Sequence, residues 1–260
     1  MRGGFFFFIF LFAFFKVQAD FLKPARKWIH RPSKALSVSK KIQPHNLKEQ
    51  ALLDFFKGQM FLKKQQYRQA LKFFKKSIEN NISLKSYAYW YMGKAYLQLG
   101  RLNKAQQSLQ VALSFRPPRR LSLYIRFDLA KVALAKRHWR TAYRYLRRLE
   151  RSWRGTHFHP EILWMLTQVE IARHRSWRSC FWARKLFYRY PTFDKIETWG
   201  VDLRRARVGA YQLSCDLTYK DMIKRIRYLQ WQGLSVQARE EIRTYLNLHK
   251  DLSSFQKESL

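Results

Sequence analysis

The chain has 260 residues, 17% of them aromatic, with only 9 Gly and 7 Pro. That composition excludes a disordered or low-complexity protein and favours packed helices. Its 52 Lys and Arg against 17 Asp and Glu leave a formal charge of +35, which attracts anions (nucleic acid, anionic lipid, acidic polymer or acidic protein), the alternative being a general basic bias with no dedicated ligand.

At the N-terminus, Arg2 precedes an unbroken apolar run from Phe5 to Phe15, and Val17-Gln18-Ala19 supplies a small residue before a cut ahead of Asp20. Eleven helical residues rise about 16 Å, roughly half a bilayer core, too short to span it. Residues 1–19 are therefore expected to be a secretory signal peptide, with an uncleaved membrane anchor as the alternative. No Cys follows the run to carry a lipid. Export to the periplasm or the exterior follows, so nucleic acid is not an expected partner, and membrane contact is expected only through this segment if it stays uncleaved. Cys180 and Cys215 are the two cysteines. They form either one disulfide or two small buried core residues.

Residues 20–48 are basic and interrupted by Pro24, Pro32 and Pro44. They read as a flexible lead-in. From Glu49 the apolar positions fall on three- and four-residue steps: Ala51, Leu52, Phe55, Phe56 and Leu62, then Ala70, Leu71, Phe74 and Ile78 beyond the polar turn 63–66. Two antiparallel helices are predicted. The hairpin recurs, with 87–99 and 103–115 joined at Gly100-Arg101, 121–135 with 141–151, and 161–172 with 177–190. The breakers Pro117-Pro118, Gly155, Pro160 and Pro191 fall between helices, where the loss of a backbone donor is harmless. No period-2 alternation persists, so strands are not expected.

The second hairpin carries Tyr89, Met92, Gly93 and Tyr96, then Gly100, Ala105, Leu109, Ala112 and Pro117. This resembles the tetratricopeptide repeat (TPR), in which small residues mark close helix crossings and aromatic or apolar groups fill the remaining space. The spacing repeats at Gly58, Phe61, Ala70, Phe74 and Ser77, and at Ala130, Ala133, Ala142, Leu146 and Leu149. A fourth copy keeps Trp164, Ile171, Cys180, Phe187 and Pro191 but departs at Gln168 and Arg184. A fifth, partial copy runs through Leu229, Gly233, Ala238, Ile242 and Tyr245. The resemblance implies an all-α fold, a right-handed α–α superhelix (TPR-like solenoid) of four to five helical hairpins, with repeats over 49–191 and an irregular helical continuation over 192–260.

The stretch from Arg225 to Ile242 is also similar to hairpins in the helical region of soluble lytic transglycosylases, which cleave peptidoglycan. Those enzymes' catalytic motifs have no counterpart among these residues, so no catalytic role transfers. Tyr190-Pro191 resembles the helix ends of periplasmic TPR proteins of outer-membrane assembly, whose lipid-anchored Cys is missing here.

Phosphate loops, H-E-x-x-H and C-x-x-C are absent, and no carboxylate pair suits acid–base work. His157, His159 and Glu161 offer metal-type donors, but with no further ligand cluster they are expected in a solvated loop. No enzyme, cofactor or metal is expected. What the resemblance implies instead is binding along the concave face formed by the first helix of each hairpin. Tyr87, Trp90 and Lys94, then Tyr124, Phe127 and Lys131, then Arg173 would line a trough of rings and cations for a protein or peptide partner. A second candidate is the convex row Arg140, Arg144, Arg147 and Arg151, a surface for anions such as acidic envelope polymers, peptidoglycan included. Function reduces to a non-enzymatic exported scaffold. The alternative is the helical, peptidoglycan-binding part of a lytic transglycosylase without its catalytic domain.

Overall fold

A computed structural model describes residues 20–79, 84–199, 203, 206–209, 211–213, 215–250, 252–254 and 256. The apolar segment 1–19 expected to direct export lies outside them. The chain forms two compact units, the first ending at His138 and the second starting at Trp139.

In the first unit, a short 3-10 turn (Asp20–Leu22) leads into α1 (Lys23–Arg26) and α2 (Pro32–Ser39). The segment expected to be an irregular lead-in is thus partly helical. Pro24 and Pro32 stand in the first turns of α1 and α2, where no backbone donor is needed, and Leu22, Ala25, Ala35 and Leu36 are buried. Lys63 Nζ donates to the Ile29 carbonyl at 3.0 Å, tying this segment to the next helix.

Four longer helices and the first helix of a third pair follow: α3 (Leu47–Lys63), α4 (Tyr67–Glu79), α5 (Lys85–Gln98), α6 (Leu102–Ser114) and α7 (Arg119–Ala135). Asn46 caps α3 by accepting from the Glu49 N–H at 2.9 Å. Helices α3 and α4, and α5 and α6, form the two expected hairpins, and α4 packs on α5. The small residues mark the crossings as the spacing requires. A Cβ on Gly58 would meet the Phe74 ring at 2.7 Å, and one on Gly93 would meet Leu109 Cγ at 2.6 Å. Phe55, Phe74 and Tyr91 form a ring cluster with centroids 5.5–5.8 Å apart, joining the hairpins.

The second unit holds α8 (Trp139–Ser152), α9 (His159–Ala172), α10 (Ser176–Arg189), a 3-10 helix (Asp194–Trp199), strands β1 (Arg207–Val208) and β2 (Tyr211–Gln212), then α11 (Tyr219–Trp231) and α12 (Ser235–Leu248). The two helices of the third expected hairpin, α7 and α8, thus fall one in each unit. The α9–α10 hairpin and the α11–α12 hairpin both form. Between them the chain departs from a simple repeat. Cys180 is bonded to Cys215, Arg184 lies 3.6 Å from Asp221, and Lys224 stands over the Tyr188 ring. Positions therefore increase together along α10 and α11, so the two helices run parallel. Residues 190–218 are the crossover that parallel packing demands. The crossover contains a two-residue antiparallel ladder, Arg207 opposite Gln212 and Val208 opposite Tyr211, a feature too short to leave an alternating pattern.

Five turns between helices share one backbone device. Gln65, Gly100, Arg137, His174 and Gly233 all have left-handed φ between 55° and 77°. At each, the next residue's N–H reaches back to a carbonyl five positions earlier, as Gln66 to Phe61, Arg101 to Tyr96, His138 to Ala133, Arg175 to Glu170 and Leu234 to Leu229. These are Schellman closures, which satisfy the last helical carbonyls. Only two of the five carry the glycine that signals such a turn.

Candidate binding surfaces

The face expected to form a trough can be followed on α5 and α7 of the first unit. Trp90 and Phe127 are only 3% and 5% exposed. Trp90 Nε1 donates to Asp128 Oδ2 at 2.6 Å, a bond between residues 38 apart in sequence that ties α5 to α7. These two rings are therefore floor and glue rather than contact surface. Above them stand the cations. Lys94 Nζ lies 5.0 Å from the Trp90 ring centre and 5.6 Å from that of Tyr91, and Lys131 Nζ lies 4.5 Å from that of Phe127. Each ammonium is within reach of the negative face of a ring.

Tyr87 and Tyr124 are half-buried beside them, and the Tyr124 ring centre lies 5.9 Å from that of Trp90. Burial pushes both phenol pKa values up, against the opposing Arg120 charge at Tyr124, so both hydroxyls keep their protons. The surface thus offers two cations and two phenols at matching places of successive repeats.

Arg173 does not extend this row. It lies in the second unit, with Nη1 3.5 Å from buried Glu170 and its guanidinium 4.8 Å over the Tyr143 ring. Met165 and Val169, the next positions on that helix face, are buried. Arg173 is instead drawn to Glu170 and Tyr143, while another side of α9 meets the crossover: β1 packs on α9, and Trp164 stacks on Trp199, whose Nε1 donates to the Arg207 carbonyl.

Of the arginine row, Arg140, Arg144 and Arg151 are exposed, and so is Arg148. Among the described residues, no carboxylate forms an ion pair with any of these four. Arg147 differs, lying half-buried 5.0 Å over the Trp182 ring and 3.8 Å from Glu150.

Sequence reasoning missed a buried polar cluster behind this row. Glu150 accepts from Lys185 Nζ at 2.6 Å and faces His159 Nε2 at 3.4 Å, while His159 Nδ1 lies 2.5 Å from the Tyr190 hydroxyl. Burial alone would raise the Glu150 pKa, but Lys185 and His159 outweigh it and hold the carboxyl below its usual value. Burial lowers the His159 pKa to about 4, against the pull of Glu150. Neutral His159 thus donates through Nε2–H to the carboxylate and accepts the Tyr190 proton at Nδ1, and burial keeps Tyr190 protonated. The stretch expected as a solvated loop instead opens α9, with His159 and Pro160 buried, because this partnership draws the imidazole inward. His157 stays exposed, Glu161 pairs with Lys195 at 2.6 Å, and no group of three metal-type ligands occurs among the described residues.

Residues 86–118 match the family profile of the tetratricopeptide repeat. Several solved structures share the fold. The C-terminal part of a TPR repeat-containing protein from Cytophaga hutchinsonii aligns over 92% of this chain and 83% of its own, at 15% identity and TM-score 0.55. PilF of Pseudomonas aeruginosa aligns over 92% and 93%, at 12% identity and TM-score 0.54. BtubC (BKLC) of P. vanneervenii aligns over 87% and 91%, at 12% identity and TM-score 0.52. No curated protein matches the chain in sequence. At these identities the likeness is one of fold. The matched repeat, the hairpins sharing its small-residue spacing and the recurring turn closure together make the fold of this chain a tetratricopeptide-like helical repeat.

Proposed function

We propose that the chain is an exported, non-catalytic scaffold that binds an acidic segment of another protein along the α5–α7 face of its first unit. One observation carries this reading: Lys94 and Lys131 occupy the same place in successive repeats, each on a buried ring and each two turns along its helix from a half-buried, protonated tyrosine. An extended peptide presents side chains at regular intervals, so a repeated cation–phenol pair suits alternating carboxylates and amphipathic groups. TPR folds serve protein–protein interaction, which agrees with a surface that lacks acid–base machinery. Export is supported by the apolar leader and by the Cys180–Cys215 bond, since disulfides persist in oxidising compartments. The lytic-transglycosylase alternative gains nothing from Arg225, which opens the similar stretch, because its guanidinium is buried in an ion pair with Glu241 and is not offered to a glycan.

The test is fluorescence anisotropy with two labelled peptides of one sequence, the first carrying Asp and Glu, the second Asn and Gln. Selective binding of the acidic peptide, lost in Lys94→Glu/Lys131→Glu, is expected. Equal binding of both peptides, or a double variant that binds like the parent, would sink the proposal.

A further inference from the structure

The reading above leaves the outer face of the second unit unused. Helices α8 and α10 lie side by side there, since Arg147 sits over the Trp182 ring and Lys185 reaches Glu150. Apart from the terminal Ser152, the exposed residues of α8 are all arginines: Arg140, Arg144, Arg148 and Arg151, with no lysine among them. The α8 carboxylate, Glu150, points inward and is neutralised by Lys185, and α10 has no acidic residue at all.

On α10 the same side carries Trp177, 68% exposed, and Phe181, 50% exposed, one helical turn apart. Arg178 lies 5.0 Å over the Trp177 ring, and Phe181 packs edge-on to Trp182, the ring that Arg147 covers. Cys180 stands between the two exposed rings, and its bond to Cys215 anchors that turn of the helix. The aromatic pair thus stands exposed on the helix next to the arginine row.

We propose that this face docks on an anionic phospholipid surface, with the α8 guanidiniums on headgroup phosphates and the rings of Trp177 and Phe181 at the acyl boundary. Guanidinium matches phosphate oxygens in a two-pronged geometry that ammonium lacks. Indole and phenyl rings flanked by cations are the composition of peripheral membrane contacts. Two rings surrounded by charge form too small an apolar centre for a stable protein–protein core. The sequence confines membrane contact to the N-terminal segment, and this surface adds a second contact, independent of the peptide-binding face.

The test is co-sedimentation of the full chain with phosphatidylcholine vesicles with and without phosphatidylglycerol, at low and high salt. All variants share the N-terminal segment, so differences between them report this face. Binding only to anionic vesicles at low salt is expected. Arg140→Gln/Arg144→Gln/Arg148→Gln should lower partitioning about 100-fold, each charge near an anionic surface being worth about fivefold. Trp177→Ala/Phe181→Ala should lower it about tenfold or more. Because these side chains are exposed, unchanged denaturation midpoints should accompany both losses. Brominated acyl chains should quench less fluorescence in Trp177→Phe than in the parent. Three outcomes would overturn the proposal: equal binding to neutral vesicles, arginine-dependent binding indifferent to the two rings, or capture of a soluble acidic protein by this face with no vesicle binding.

Discussion

Arg225 and Glu241 form a two-pronged ion pair across the last hairpin, with Nη2 on Oε1 at 2.7 Å and Nε on Oε2. The same guanidinium donates from Nη1 to the Phe187 carbonyl at 2.7 Å, in the last turn of α10. One side chain, 4% exposed, thus satisfies an orphan helix-end carbonyl and holds α10, α11 and α12 together. Arg225→Met should destabilise the second unit by about 3–5 kcal/mol, because Glu241 loses its partner. Arg225→Lys should recover little, since an ammonium cannot span the three acceptors. Urea denaturation of both variants measures this, and a lysine variant near the parent's stability would contradict it.

The disulfide closes a 35-residue separation between α10 and the end of the crossover, ahead of α11. Cross-linking a loop of that length removes denatured-state entropy worth about 3–4 kcal/mol. Cys180→Ala/Cys215→Ala, or reduction of the parent, should lower the melting temperature of the second unit and leave the first unit's transition in place. A single transition falling as a whole would show instead that the units unfold together.

Left-handed turns occupied by non-glycine residues make a stabilising prediction. Gln65 and His174 adopt φ of 60° and 55° and are exposed. A Cβ there costs about 1–2 kcal/mol, partly offset by the extra freedom of an unfolded glycine. Gln65→Gly and His174→Gly should each stabilise by about 0.5–1 kcal/mol. Gly100→Ala, with φ of 69° and open space around it, should do the reverse by a similar amount. Guanidinium melts of the three variants suffice.

Acid should weaken the second unit through His159 and Glu150. Unfolded His159 takes its proton near 6.5, while the folded imidazole resists until about 4. Its contribution is complete above pH 6.5 and is lost as pH falls through 4, about 3 kcal/mol in full. Glu150, held below its usual value, adds a loss in the same direction below about pH 4.5. The parent's denaturation midpoint should therefore fall between pH 7 and 4, and His159→Gln should fall less steeply over that window. Parallel profiles would remove His159 from the account.

Much of this architecture was legible from short-range pattern. Gly58, Gly93, Ala105 and Ala112 stand where helices cross closely, and small residues at crossings have no cheap substitute. The turns at Gly100 and Gly233 announced themselves for the same reason. The matching turns at Gln65, Arg137 and His174 did not, because the backbone bonds that close a Schellman turn can force an L-residue into the left-handed region. Arg184 and Gln168, misfits to the repeat, mark where it is interrupted. Arg184 pairs with Asp221 on α11, and Gln168 lies beside Gly209 of the crossover.

The candidate surfaces divide along the same line. Helical spacing put Trp90 and Lys94 on one side of α5, and Phe127 and Lys131 on one side of α7. Which of them meets solvent depended on Asp128, which draws the Trp90 indole down from the next repeat. Arg173 left the row because Glu170 and the Tyr143 ring of α8 hold it. Periodicity along one helix reports which residues share a side. What lies against that side is set by contacts 30 to 40 residues away, such as Trp90 with Asp128, Lys185 with Glu150 and Cys180 with Cys215. Repeat identity, helix positions and charge were thus written locally in the chain. The parallel run of α10 and α11, the buried histidine cluster and the exposure of Trp177 and Phe181 arose only once distant segments had packed together.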